Sequence, residues 1–258
     1  MRDSLRSMLQ KCCKEQGMNM RTLEKWEYDE FKQVGVDFKD EREVQNYDER
    51  VAKFRDTVEQ NQLILQALEL KREHVLIDIG AGTGDFSIEA AKRCKHVFAV
   101  DVSPIMLKYA KNKAAAKKVN NITFIHAGFL SYVHAGEPVD AIVSNIALHH
   151  LPDFWKMVAL QRVSQMLKNS GKLYLADTVY NFPVEEHKSR FNNWLDRLGS
   201  TAGPRAAQQV QAHIRSEYST LDWIMEGMLK CAGFKINKVD YYNGIFAQYL
   251  CTKVPQKP

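Results

Sequence analysis

Apolar positions in the middle of the chain come in short closed runs. "HVLIDIG" (74–80), "HVFAVD" (96–101), "NITFIHA" (121–127), "VDAIVSN" (139–145) and "GKLYLAD" (171–177) are six or seven residues each. Runs of that length suit buried strands of a parallel sheet, which turn neither face to water. Between them the pattern takes a helical period. "GDFSIEAAKRC" puts Phe86, Ile88, Ala90 and Ala91 inward. "SPIMLKYAKNKAAAKK" opens on Ser103 as N-cap, with Pro104 at the first helical position. "FWKMVALQRVSQML" and "TLDWIMEGMLKCAG" read as further helices. This alternation predicts an open, mostly parallel, doubly wound α/β sheet. The last two runs, "FKINKVDYY" and "IFAQYLCTK", flank Asn243-Gly244. Asn-Gly between apolar runs is a hairpin signal, so the sheet is expected to end antiparallel.

Two regions break this rhythm. The first 74 residues read as helical and interrupted, with breaks near Gly17 and Gly35. A long helical pattern from Asp48 to Leu70 carries Val51, Phe54, Val58, Leu63, Leu65 and Leu68. The second region, residues 178–220, is too long for a plain connection. It is expected to be a helical insertion beyond the carboxyl end of the fifth strand, the edge where such sheets bind ligands. The expected division is a helical cap over residues 1–70 and an α/β domain over 71–258.

Composition narrows the class only a little. The 258 residues are 45% apolar, ordinary for a globular core. A net charge of +5, with acids and bases interspersed, gives no strong nucleic-acid signal. No apolar run is long enough to span a bilayer. The segment "MRDSLRSMLQKCCKEQGMNM" lacks the apolar core of a signal peptide; Leu5, Met8, Leu9, Cys12 and Cys13 fall at helical spacing instead. Five cysteines, an odd count without zinc spacing, point to a reduced, cytoplasmic protein with no metal site.

The candidate chemistry sits in "VLIDIGAGTGD" (75–85). Asp78 closes a strand, and Gly80, Gly82 and Gly84 allow a tight turn that brings backbone close to a ligand. Loops that cradle phosphates keep the site neutral or positive. Here Asp78 opens the loop and Asp85 follows it, and no Lys-Ser/Thr comes after the glycines, which argues against a nucleoside-triphosphate loop. Asp101 ends the next strand, where a carboxylate can accept both hydroxyls of a ribose. A ribose joined to a cationic tail describes S-adenosyl-L-methionine.

"VLIDIGAGTGDF" followed by "VFAVDVSPIMLKYAK" closely resembles the class I S-adenosylmethionine-dependent methyltransferases, with the small-molecule branch of the ubiquinone/menaquinone-biosynthesis type nearest in feel. The likeness runs on through "VDAIVSNIALHHLPD", "LKNSGKLYLAD" and "MLKCAGFKI", over roughly residues 45–252. It implies a Rossmann-like seven-stranded sheet with the closing hairpin, S-adenosyl-L-methionine as cofactor and S-adenosyl-L-homocysteine as product. It also implies residue roles. The Gly80–Gly84 loop passes under the methionine part. Asp78 anchors that loop and binds the amino group. Asp101 takes the ribose hydroxyls, Val102 and Met106 line the adenine, and Asn145 faces the methionine portion. Where the family carries an acid for the adenine amino group, this chain has Gly128, which leaves the backbone and ring of Phe129 to reach the adenine and the cofactor site weakened or altered.

Methyl transfer from a sulfonium needs alignment above all, and a base only if the nucleophile carries a proton. His149, in "NIALHHLPD", and Asp177, at the end of the fifth strand, are candidate bases, and Tyr47 matches an aromatic lid position of the family. Packing or capping roles stand beside each. Asn-Pro-Pro-Tyr and Asp-Pro-Pro-Tyr, which mark many amino-methylating enzymes of nucleobases and glutamine, are absent after the fourth strand. Trp26, Tyr28, Phe31 and Phe38, with Phe182, Phe191 and Trp194 of the insertion, could enclose an apolar acceptor or form the core of the cap. The expected activity is methyl transfer to a small molecule. An RNA or protein methyltransferase, a non-catalytic cofactor-binding protein and a dinucleotide-dependent oxidoreductase are the rivals. Acceptor atom and oligomeric state stay open.

Overall fold

The computed structural model describes residues 24–32, 34, 35, 41, 44, 46–53 and 55–255. The amphipathic N-terminal segment, Cys12, Cys13, Phe38 and Phe54 lie outside the described residues. Two helices, α1 (Tyr47–Ala52) and α2 (Thr57–Leu68), lead into an alternating series. It runs β1 (Val75–Ile79), α3 (Asp85–Ala91), β2 (His96–Asp101), α4 (Pro104–Ala116), β3 (Ile122–His126) and β4 (Val139–Asn145). A 3-10 turn over Leu148–His150 precedes α5 (Asp153–Met166) and β5 (Leu167–Tyr180). Then come α6 (His187–Ala202), α7 (Pro204–Ser216), β6 (Thr220–Leu221), α8 (Asp222–Cys231), β7 (Phe234–Tyr242) and β8 (Phe246–Lys253).

The strands order as β3-β2-β1-β4-β5-β8-β7, with the two-residue β6 added beside β5. The first five are parallel, and β8 runs antiparallel to both β5 and β7. The mostly parallel sheet with a closing hairpin therefore stands as the sequence implied. Asn243 (φ 54°) and Gly244 (φ 72°) make its turn, two successive left-handed residues that match the twist of the strands they join.

Alternate residues of each strand feed two cores. Ile77, Ile142, Leu173 and Leu175 pack with Ala159, Leu160 and Val163 of α5 and Met225 and Leu229 of α8. Leu76, Ala141, Val143 and Tyr174 pack on the other face with Ile64 and Leu65 of α2 and Phe86 and Ala90 of α3. Coverage of both faces explains why the strands read as nearly continuous apolar runs.

The single helix expected from Asp48 to Leu70 is broken. Asp56 accepts a hydrogen bond from Glu59 N (2.9 Å) and starts α2 afresh. Val58 and Leu63, part of that helical pattern, are 72% and 47% exposed because the restart turns them toward a cavity mouth. The insertion is helical, in α6 and α7. Phe182 and Phe191 pack around Trp194, Leu198 and Ile245 as a small core of their own. No helix among the described residues is long and apolar enough to cross a membrane.

Candidate functional site

The strand order reverses between β1 and β4, and ligands of open α/β sheets bind beyond the carboxyl ends of strands at such a point. A cavity of about 1220 Å³ opens there and reaches from the glycine loop to α6 and α7. Among the residues expected at the site, all but Asp78 and Gly84 line it. Those two stand behind the loop. Gly84 (φ 79°) is the N-cap of α3, where an added Cβ would sit 2.8 Å from Ala110 Cβ of α4. It is small so that two helices can meet.

Gly80 and Gly82 divide the remaining work. Gly80 (φ 79°) would place a Cβ 2.3 Å from Ala147 Cβ, so the loop can lie against the turn after β4 only as glycine. Gly82 (φ 53°) would place its Cβ in open space, on the cavity side of the loop. Gly80→Ala combines left-handed strain with overpacking, about 2–4 kcal/mol in all. It is expected to lower Tm by roughly 5–15 °C in a thermal melt. Gly82→Ala is expected to shift Tm far less and to weaken ligand binding in the cavity instead.

Asp101 is 8% exposed and already bonded to the loop that it serves. One carboxylate oxygen accepts from Gly82 N (2.7 Å), the other from Ser103 N (2.8 Å). A carboxylate has further lone pairs, and these remain for a ligand in the cavity. Asp78 is buried against α3, where Ser87 Oγ donates to it (2.5 Å). Burial, with Asp101 nearby, pushes its carboxyl from 3.8 up to about 7. Asp85 plays no such part. It pairs with Lys113 (3.0 Å) and does not line the cavity, so the second acid of the loop motif is structural.

The empty place of the adenine acid has a structural reason. A Cβ on Gly128 would lie 2.3 Å from Glu30 Oε2 and 2.7 Å from Val102 Cγ1. Glu30 comes from the N-terminal segment, a hundred residues away in sequence, and its carboxylate accepts from Leu130 N (2.9 Å) and Ser131 N (2.7 Å). Burial raises the pKa of this carboxyl. Gly128 thus leaves room for an acid delivered from elsewhere. The Phe129 ring belongs to the main core of the sheet.

The opposite end is built by α1 and the link to α2. Asp48 accepts from Thr83 Oγ1 (2.7 Å) and pairs with Lys113 (2.5 Å), tying α1 to the glycine loop. This sets Tyr47 on the cavity wall, where burial raises its phenol. Arg55 also faces the cavity. It donates to Gln60 Oε1 (2.5 Å) and Asn145 Oδ1 (3.3 Å), and burial lowers its pKa. Among the described residues its hydrogen-bond partners are neutral amides, so this partly desolvated guanidinium can still take an anion.

On the cap side, a cluster of acids and imidazoles closes the cavity. Asp177, 1% exposed, accepts from His149 N (2.9 Å), Thr178 N (2.7 Å) and His149 Nδ1. The other ring nitrogen, His149 Nε2, is 3.2 Å from Glu217 Oε2, which also contacts His213 Nδ1. Burial would lower the pKa of His149, but Asp177 and Glu217 outweigh burial and raise it to about 9. The same bonds, from His149 and His213, overcome burial at Glu217 and hold its carboxyl well below the ordinary range. Burial, helped by the His149 charge, lowers His150 to about 4. His149, expected from sequence as a candidate base, is thus ion-paired on both ring nitrogens, which favours its charged form. Asp177 spends its oxygens on three donors and orients the ring.

Glu30, Arg55, His213 and Glu217 were missed in the sequence. Each reaches the site through a contact distant in sequence, from segments without strand or helix signatures of function. The donor set nevertheless fits the adenosyl ligand that the sequence implied. The cavity offers carboxylates at Asp101 and Glu30, which can accept from hydroxyl and amino groups, and a guanidinium at Arg55, which can pair with a carboxylate.

Comparison with known proteins agrees. The methyltransferase domain family matches residues 76–171. An uncharacterized methyltransferase of Geobacillus kaustophilus is 30% identical over 194 residues, 75% of this chain and 83% of that protein. In structure, a SAM-dependent methyltransferase from Aquifex aeolicus aligns with a TM-score of 0.56 at 18% identity, over 83% of this chain and 99% of that one. The mycolic acid cyclopropane synthase CmaA1, solved with S-adenosylhomocysteine and CTAB, aligns with a TM-score of 0.59 at 16% identity, over 76% and 84%. With this sheet order, this loop and these relatives, the chain belongs to the class I S-adenosylmethionine-dependent methyltransferases and uses S-adenosylmethionine as its methyl donor.

Proposed function

We propose that the acceptor is a small molecule, bound in the half of the cavity between the glycine loop and α6–α7. The observation that carries this reading is the size and roofing of the cavity. About 1220 Å³ exceeds the roughly 300–1,000 Å³ common for one ligand, so a donor and a compact acceptor fit together. Trp194, Leu198, Val210 and Phe246 supply an apolar wall on the cap side, with Arg197 beside them. Tyr28 closes the near side, its hydroxyl donating to His150 O (2.9 Å). A polymer would need an open groove.

In this reading the cofactor supplies a methyl group already activated on a sulfonium. The chain's residues bind and align. Asp101 takes the ribose hydroxyls, and Val102 and Met106 flank the adenine. Glu30 takes the place of the absent acid toward the adenine amino group, beside the backbone of Gly128 and Phe129. Arg55 pairs with the methionine carboxylate next to Asn145, and Asp78, behind Gly80, favours the ammonium. Tyr47 covers the reacting end. His149, fixed by Asp177 and paired with Glu217, stands at the acceptor end of the cavity, where this group holds the acceptor's polar atom near attack distance.

Asp78 gives this reading a pH dependence. Burial raises its carboxyl to about 7, and an ammonium held across the Gly80 turn favours the charged form. Affinity for S-adenosylhomocysteine is expected to be level above pH 7 and to fall toward tenfold per unit below it, read by calorimetry across pH 5–9. The stability sign is opposite. A raised folded pKa contributes stability fully present below 3.8 and lost as pH rises through about 7.

The test of the acceptor class is a turnover assay with methyl-labelled S-adenosylmethionine against small hydroxylated and carboxylated compounds, total RNA and a protein extract. Label in small molecules, with release of S-adenosylhomocysteine, is the expected outcome. Label confined to RNA or protein, with RNA binding that weakens steeply in salt, would overturn it.

A further inference from the structure

We propose that His149, His150 and Glu217 hold a divalent transition-metal ion, which fixes an oxygen of the acceptor beside the methyl donor. The proposal rests on the reading above that the acceptor occupies this end of the cavity. One donor atom from each of the three residues lies within 4.8 Å of the others. His149 Nε2 and Glu217 Oε2 are 3.2 Å apart. Two ligands on one zinc-like ion stand roughly 3.0–3.6 Å apart when each bond is about 2.0–2.2 Å.

The surroundings are those of a prepared ligand set. Metal-bound histidines commonly give the distal ring nitrogen to a carboxylate, which fixes the ring and leaves the other nitrogen for the ion. His149 does this through Nδ1 and the buried Asp177. Glu217 is held as firmly. Tyr218 N donates to His149 O (2.8 Å), and Lys156 Nζ, from a side chain 1% exposed, donates to Tyr218 O. His213 lies against Glu217 and has Ser219 Oγ at its own far nitrogen (2.9 Å). Gly35 passes so close over Glu217 that a Cβ there would fall 1.8 Å from Oε1. Gly35 therefore roofs Glu217, and all three ligands line the cavity.

Two imidazoles and a carboxylate, with no thiolate, suit zinc, iron(II), manganese or cobalt and leave positions open for a further ligand. The ion replaces the proton that His149 Nε2 otherwise shares with Glu217. An acceptor hydroxyl binds it as the oxyanion and gives its proton to water. A lone pair of that oxygen then forms the bond to the methyl carbon, while the carbon–sulfur bond breaks and its electron pair stays on sulfur.

The test uses untagged, full-length chain freed of metal with a chelator. Zinc is titrated calorimetrically, cobalt(II) is followed by its visible absorption, and S-adenosylhomocysteine is titrated in parallel. One equivalent of zinc, and cobalt bands of a nitrogen–oxygen site, are expected for the wild type. Glu217→Gln and His150→Ala are each expected to weaken metal by at least tenfold, and Asp177→Asn by about 10–100-fold. None should change S-adenosylhomocysteine affinity by more than about twofold. No stoichiometric metal in the wild type overturns the proposal, as does uptake that these variants leave unchanged. Metal uptake without S-adenosylhomocysteine binding would strike the cofactor reading alone.

Discussion

Asp101→Ala is expected to cut affinity for S-adenosylmethionine and S-adenosylhomocysteine by at least about a hundredfold. A carboxylate accepting two ribose hydroxyls makes two charge-assisted bonds, each contributing about 1.5–3 kcal/mol. The loss also spreads into the loop. Gly82 N and Ser103 N lose their acceptor, so the glycine turn and the start of α4 relax together. Asp101→Asn separates the two effects, because an amide oxygen can still accept from Gly82 N while carrying no charge. It is expected to fall between wild type and alanine. Calorimetric titration reads all three, and a loss under fivefold in the alanine variant would remove Asp101 from the ribose site.

The second large effect is a swap. Glu30→Ala is expected to weaken S-adenosylhomocysteine by about 10–100-fold, the worth of one charge-assisted hydrogen bond to the adenine amino group. It also frees Leu130 N and Ser131 N, which Glu30 now caps. Gly128→Asp alone forces a side chain into the space of Glu30 Oε2 and sets two buried carboxylates together, so it is expected to bind poorly and to lower Tm. The double variant removes the contact with Glu30, leaves only the end of the Val102 side chain to shift away from the new Cβ (2.7 Å), and restores an acid from the nearer side. Gly128 has no left-handed φ, so an aspartate there adds no backbone strain. Its affinity is expected within about fivefold of wild type. A double variant no better than Glu30→Ala would mean that Glu30 only caps the turn.

The pattern of success in the sequence has a physical cause. Strand ends carry their chemistry by local rules. Asp78, Gly80 and Asp101 follow from a run, a turn and a second run, and the hairpin follows from Asn243-Gly244. Residues 24–35 carry no such period. Glu30 gains its place only by folding across to residues 128–131, and Gly128 read alone looked like a missing acid. Similar blindness applies to Glu217 and His213. They sit one turn apart at the end of α7, a spacing common to any surface helix, and only the return of the chain beside the 149–150 turn gives them a role. Asp85 failed in the opposite sense. It looked functional by position, yet Lys113 takes it up. The break at Asp56 went unseen because apolar residues on both sides kept a helical period.

The most direct measurement is a crystal structure of the protein with S-adenosylhomocysteine. The account predicts the ribose hydroxyls on Asp101, the adenine amino group within hydrogen-bond distance of Glu30, and the homocysteine carboxylate on Arg55. It also predicts open volume between sulfur and His149 for the acceptor. Adenine bound with Glu30 turned away, or a ligand that fills the space up to Trp194, would contradict it.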